Sequence, residues 1–150
     1  MLINNGGIMK AIFISIKPIY LNQIHHQLKD HEFRSFIPKK DFDTLFVYES
    51  SPTCQLRYLI TLNDIVEYPN QIPETGKGNK SFNNGEKFGN KQIKYAYQIK
   101  EVYELDKPIS LTELRNDYAF CPPQGFAYDE KYPKLSETIM KSDKKLLWKK

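Results

Sequence analysis

The residues best suited to chemistry lie near the start of the chain, in the run Lys29-Asp30-His31-Glu32-Phe33-Arg34. An ammonium, a carboxylate and a guanidinium at this spacing suit a pocket for a polar, planar ligand. Glu32 and Arg34 are two apart, so on a strand they share a face about 7 Å from one another. A carboxylate accepts from an exocyclic amine, and a guanidinium grips phosphate or a base edge through two hydrogen bonds. Lys29 supplies positive charge; buried beside Arg34, its pKa would fall far enough for base work. The structural alternative is an ion pair between Glu32 and Arg34 that closes a rim, and the two roles are compatible. Lys17 and Tyr20 would border the same site, although the spacing of Tyr20 also suits a core position. Ser50 and Ser51 precede a proline and can bond a phosphate or cap a turn. Tyr48, Tyr95 and Tyr97 have the type to stack on bases and equally the type favoured in strands.

Other chemistries are less well provided for. His25 and His26 are adjacent on a predicted helix and point about 100° apart. His31 falls on the apolar parity of a strand, and no carboxylate or thiol completes a ligand set, so no metal and no cofactor are expected. Gly76-Lys77-Gly78 lacks the spacing and the flanking strand of a phosphate loop. Cys54 and Cys121 carry no nucleophile signature and are expected to be packing residues.

Composition sets the frame for these groups. The 150 residues suit one domain, and 40% apolar with 13% aromatic residues can build a core. No apolar run approaches the ~18 residues that cross a bilayer, and the N-terminus has no basic region followed by an apolar stretch. Two distant cysteines fit a reducing, cytoplasmic setting. The net charge is +4, and residues 141–150, with five lysines and one aspartate, account for all of it. Residues 9–40 and 77–107 are net basic and 41–76 net acidic, a polarised pattern that attracts phosphates or is simply solvated.

Three segments are expected: an extension over 1–8, a domain over 9–140, and a basic tail over 141–150. Gly6 and Gly7, with their G-rich codons, stand where a ribosome-binding site would precede Met9, so translation is expected to begin at Met9. Alternation predicts strands over 10–16, 30–37, 45–49, 56–62 (running on toward Tyr68), 95–105 and 126–128. Pro18 opens a helix in which Leu21, Ile24 and Leu28 recur. Residues 69–91 read as a long polar loop with one helical turn near Phe82. Ser110 and Glu113 have capping-box spacing for a short helix, and a C-terminal helix is expected over 136–148. Five or six strands with short helices imply an α+β chain built on a small, strongly bent sheet or barrel, with a helix after the first strand.

The order of these pieces resembles the ASCH family, a branch of the PUA-like β-barrel superfamily. The resemblance spans roughly residues 10–130. It rests on Ser15-Ile16-Lys17-Pro18, the run Lys29 to Arg34, Tyr48-Glu49-Ser50-Ser51-Pro52, Tyr95-Ala96-Tyr97 and Pro123-Gln124-Gly125-Phe126. Lys29, Glu32 and Arg34 match the family signature Gly-x-Lys-x-x-Glu-x-Arg, but Gln27 stands at its glycine, which usually ends a helix in a left-handed turn. The resemblance implies a PUA-like barrel whose cleft, beside the first helix, binds RNA or a nucleotide in translation or transcription control. It adds Gln124 and Phe126 as a cleft wall. The ligand-binding set is then Lys17, Lys29, Glu32, Arg34, Tyr48, Ser51 and Gln124. One branch of the family resembles an amidohydrolase that uses a threonine where this chain has Glu32, which closes that covalent route. A ribonuclease-like branch uses the signature lysine, so a hydrolase acting on RNA or a modified nucleoside, with Lys29 and Glu32 as catalytic residues, is the alternative function. A protein-interaction module is the third.

Overall fold

The structure is a computed structural model that describes residues 3, 4 and 7–150, with side chains from Met9 onward. The expected boundary at Met9 and the extension before it lie largely outside the described residues. Strand β1 (Ala11–Ile16) sends Ile12, Ile14 and Ile16 into one core and Ala11 and Phe13 into another, so both its faces are apolar. It leads into helix α1 (Pro18–His25), whose Leu21 and Ile24 are buried. Short β2 (His31–Arg34) follows, then β3 (Thr44–Glu49) and the 13-residue β4 (Gln55–Glu67). A 69–94 excursion carries the small helix α2 (Asn79–Asn83) before β5 (Tyr95–Ser110), 16 residues long. Helix α3 (Leu111–Tyr118), β6 (Ala127–Tyr128), α4 (Pro133–Lys141) and β7 (Lys144–Lys149) complete the chain.

Seven strands form one sheet in the order β6-β1-β3-β4-β5-β7, with β2 also on β5. Only β1 and β3 run parallel, with α1 in the connection between them. The sheet curls into a half-barrel around the core that contains Leu21, Ile24, Tyr58, Tyr97 and Trp148; α3 and α4 close the second core on its other face, against Phe13, Phe46 and Tyr48. The β5 strand is the spine. One edge pairs with β4 along its whole length, and the other is shared by β2 at residues 95–98 and β7 at residues 101–105.

The expected 136–148 helix divides: α4 ends at Lys141 and residues 144–149 form β7. The stretch Leu146-Leu147-Trp148 suits either state. The open β5 edge decides, because its unpaired backbone groups need a partner, and Trp148 Nε1 donates to the Ile24 carbonyl at 2.7 Å. The 69–94 excursion is also more than a polar loop. Ile72, Phe82 and Ile93 are buried against Phe33 in a third, smaller core. The Ser110 hydroxyl caps α3 by accepting from the Glu113 amide, as the spacing predicts. No helix among the described residues is long and apolar enough to cross a membrane.

The turn after α1 has a direct bearing on the site. Gln27 has φ +60°; its amide bonds the Ile24 carbonyl, and the Leu28 amide reaches back to the Gln23 carbonyl. This is a Schellman ending with glutamine in the left-handed position where glycine is favoured. The departure from the signature glycine therefore leaves the turn intact and adds strain. Gln27→Gly should raise the unfolding free energy by about 1 kcal/mol, read as an upward shift in thermal midpoint.

Candidate ligand-binding site

The Schellman turn brings the chain back so that Lys29 points under α1. Its side chain is buried, at 5% exposure, and the ammonium stands 4.2 Å from the centroid of Phe33 and 5.6 Å from that of Tyr20. It makes no hydrogen bond or ion pair among the described residues. Burial pushes its pKa below the ordinary lysine range; the nearby Glu32 carboxylate opposes that shift and the Arg34 guanidinium adds to it.

Alternation along β2 places Glu32 and Arg34 on one face, and there they pair. Arg34 Nε and Nη2 both donate to Glu32 Oε2, at 2.9 and 2.7 Å, and Nη2 also donates to the Ser15 carbonyl at 3.0 Å. The rim-closing ion pair and the binding geometry therefore coexist. Glu32 Oε1 and Arg34 Nη1 are left without protein partners among the described residues. Ammonium, carboxylate and guanidinium all line one cavity of about 480 Å³, within the range of small-molecule sites. Lys17, at the start of α1, and Gln124 stand on its wall, as does Tyr20, which is exposed rather than a core residue.

Two of the expected ligand contacts lie elsewhere. Tyr48 is buried among Phe13, Phe120 and the α3–α4 core, on the opposite face of the sheet from the cavity. The parity of β3 turns it that way, because its neighbours Val47 and Leu45 fill the half-barrel. Ser51 is exposed in the turn after β3 and takes no part in the cavity. Tyr97 is fully buried, and its hydroxyl donates to the Phe36 carbonyl at 2.7 Å, so it positions Phe36 and has no face for stacking. Phe126 lies behind the wall and stacks on Phe36 at 5.5 Å. Burial raises the phenols of Tyr48 and Tyr58 to about 12. A raised acid contributes stability that is complete below its unfolded pKa near 10.0 and lost as pH climbs through the folded value. Stability should therefore fall between about pH 10 and 12, and a spectroscopic titration should show these two phenolates appearing only with unfolding.

Several cavity residues escape a reading of the sequence. Phe36 shares strand parity with Glu32 and Arg34, which is the signal that would find it. Phe33 lies on the other parity and reaches the cavity with its ring beneath the Lys29 ammonium. Phe88, Lys91 and Ile93 come from the 69–94 excursion, where a two-residue turn at Gly89-Asn90 sets Phe88 opposite Lys91. No local pattern points to them.

Asp30, just before β2, is 3% exposed and accepts from four side chains: His31 Nδ1 at 2.7 Å, Asn79 Nδ2 at 3.0 Å, Lys150 Nζ at 2.8 Å, and the Thr75 hydroxyl. Burial alone would raise its pKa, but these hydrogen bonds outweigh it and hold the carboxyl well below the usual range. Gly76 passes so close that a Cβ there would meet Asp30 Oδ1 at 2.7 Å. Asp30 thus ties the end of β7 and the 69–94 excursion to the strand that carries Glu32 and Arg34. Among the described residues no group of three or more potential metal ligands occurs.

No protein-family profile and no curated protein matches this sequence. Solved structures do. ASCH from Zymomonas mobilis superposes with a TM-score of 0.68 at 20% identity, covering 89% of this chain and 96% of its own. A tyrosine-to-phenylalanine variant of the same protein gives 0.69 at 19%, covering 89% and 99%. A serine-to-alanine variant gives 0.69 at 20%, covering 89% and 97%. The curled sheet, the helix after its first strand and the helices on its outer face are thus those of the ASCH fold, which the order of the sequence motifs implied.

Proposed function

We propose that the chain binds RNA or a nucleotide-like ligand in the cavity beneath α1, inside the cell. The observation that carries this is a desolvated ammonium that forms no ion pair among the described residues, set beside Glu32 Oε1 and Arg34 Nη1, which have no partner there, in a hollow walled by Tyr20, Phe36 and Phe88. Burying a lysine without a partner costs stability, and an anionic ligand would recover that cost. Arg34 would hold a phosphate or base edge through Nη1, Glu32 Oε1 would accept from an exocyclic amine, and the aromatic walls would take the flat face of a base. The unpaired thiols of Cys54 and Cys121 fit a reducing compartment.

Calorimetric titration with the nucleoside monophosphates and with short RNA tests this. Affinity should fall as salt rises, in proportion to the phosphates held. Arg34→Ala would strand the buried Glu32 carboxylate and unsettle the fold, so Arg34→Lys is the cleaner variant. It keeps a charge opposite Glu32 and removes the planar fork; binding should weaken about tenfold while the thermal midpoint stays close to wild type. Absence of saturable binding to any of these ligands would overturn the reading and favour an interaction module.

The depressed lysine also supports a second reading, hydrolysis of RNA or a modified nucleoside. A neutral Lys29 amine would take the proton from the attacking hydroxyl or water, with Glu32 holding the substrate. Turnover would then rise with pH as Lys29 loses its proton. RNA cleavage that survives Lys29→Met would rule this reading out.

A further inference from the structure

A second cavity, of about 520 Å³, lies beyond the first. The same two chain segments run past both. Ser35 and Phe36 line the first cavity, and Lys39, Lys40 and Asp41 line the second; Gln124 and Gly125 line the first, and Tyr128 to Glu130 the second. Half-buried aromatic rings lie between the two sets of lining residues. The Arg34 guanidinium stands 5.9 Å from the Phe36 centroid, Phe36 stacks on Phe126 at 5.5 Å, Phe126 meets Tyr128 edge-on at 5.1 Å, and the Lys40 ammonium stands 5.0 Å from Tyr128. A guanidinium at one end, three rings in succession and lysines at the other end set π-surfaces between two positive ends, as a single strand sets bases between phosphates.

We infer that the passage is a second subsite, which takes the nucleotides flanking the one held beside Arg34, so that the preferred ligand is an extended single strand rather than a free nucleotide. This rests on the reading of the first cavity given above. The acidic residues nearby do not forbid it. Asp129 is spent on the Ala11 amide at 3.2 Å. Glu130 pairs with Lys40, but both are about two-thirds exposed, and such a pair is worth little in water, so Lys40 can exchange it for a phosphate. Lys10 and Lys39 are exposed and carry no ion pair among the described residues. Asp41, Asp129 and Glu130 balance Lys10, Lys39 and Lys40 around this cavity, so the lysines would hold phosphates one by one rather than through a net positive field.

The test compares nucleoside monophosphates with mixed-sequence RNA tetranucleotides on wild type and on the double variant Lys39→Ala with Lys40→Ala. Both lysines are exposed and outside the first cavity, so the fold and mononucleotide binding should be unchanged. Wild type should bind the tetranucleotide at least tenfold more tightly than any monophosphate, and the double variant should lose most of that gain together with part of the salt dependence. If monophosphates bind but length adds nothing, or the gain survives in the double variant, the second subsite is refuted and the first stands. If neither ligand binds wild type, the first cavity's reading fails and this one falls with it.

Discussion

Lys29→Met should make the protein more stable and poorer at binding. The lowered pKa of Lys29 means that the folded surroundings, taken together, disfavour the charged form. Methionine keeps the length and apolar stem, stays against Phe33, and removes the unpartnered charge. A gain of about 1 kcal/mol in unfolding free energy is expected at neutral pH, offset in part by the lost ammonium–ring contact. The sign with pH follows from linkage. The unfolded lysine stays protonated up to its ordinary value of 10.5, whereas the folded one loses its proton earlier. Between those two values the unfolded state binds more protons, so wild-type stability rises with pH there. The advantage of the methionine variant should therefore shrink toward pH 10.5. Nucleotide affinity should drop about 10- to 100-fold, the worth of one charge-assisted contact. Paired chemical denaturation and titration calorimetry check both halves. A variant that loses stability while keeping its affinity would show that Lys29 is a packing residue.

Asp30→Ala should have the largest effect on stability. It strands the Lys150 ammonium, the His31 imidazole, the Thr75 hydroxyl and the Asn79 amide, and leaves a gap where Gly76 approaches. Removing one partner of a buried ionic network costs about 3–5 kcal/mol, a large share of the 5–15 kcal/mol typical of a domain. Because the Asp30 pKa is lowered on folding, its contribution is complete above the ordinary carboxylate value of 3.8 and is lost as pH falls through the folded value. Wild type should therefore weaken in acid more steeply than Asp30→Asn. Hydrogen exchange should find the β2–β7 junction on β5 unprotected in Asp30→Ala, since Lys150 and Asp30 meet there at the ends of two strands sharing one edge.

Much of the fold was legible because its signals are local. The apolar run of residues 11–16, the alternation in 55–62 and 95–105, Pro18 at a helix start and the Ser110 cap are each decided within a few residues. The face shared by Glu32 and Arg34 followed from strand parity, and so did the burial of His31. The resemblance added the cleft beside α1, which brought Gln124 into view beside Lys17 and Lys29. Tyr48 lies on β3, whose faces are both apolar, so alternation alone does not say which of them meets the cavity; Ser51 sits in the turn beyond that strand, where no parity applies.

By itself the sequence determined most strands and the first helix, the Ser110 cap and the shared face of Glu32 and Arg34, because those depend on neighbours within one strand or one helical turn. Tertiary structure alone decided that Lys144–Lys149 is a strand, that the 69–94 excursion supplies Phe88 and Lys91, and that Asp30 gathers partners up to 120 residues away. Those outcomes turn on which backbone edge lacks a partner and which buried charge needs one. Such needs exist only once the chain has closed on itself.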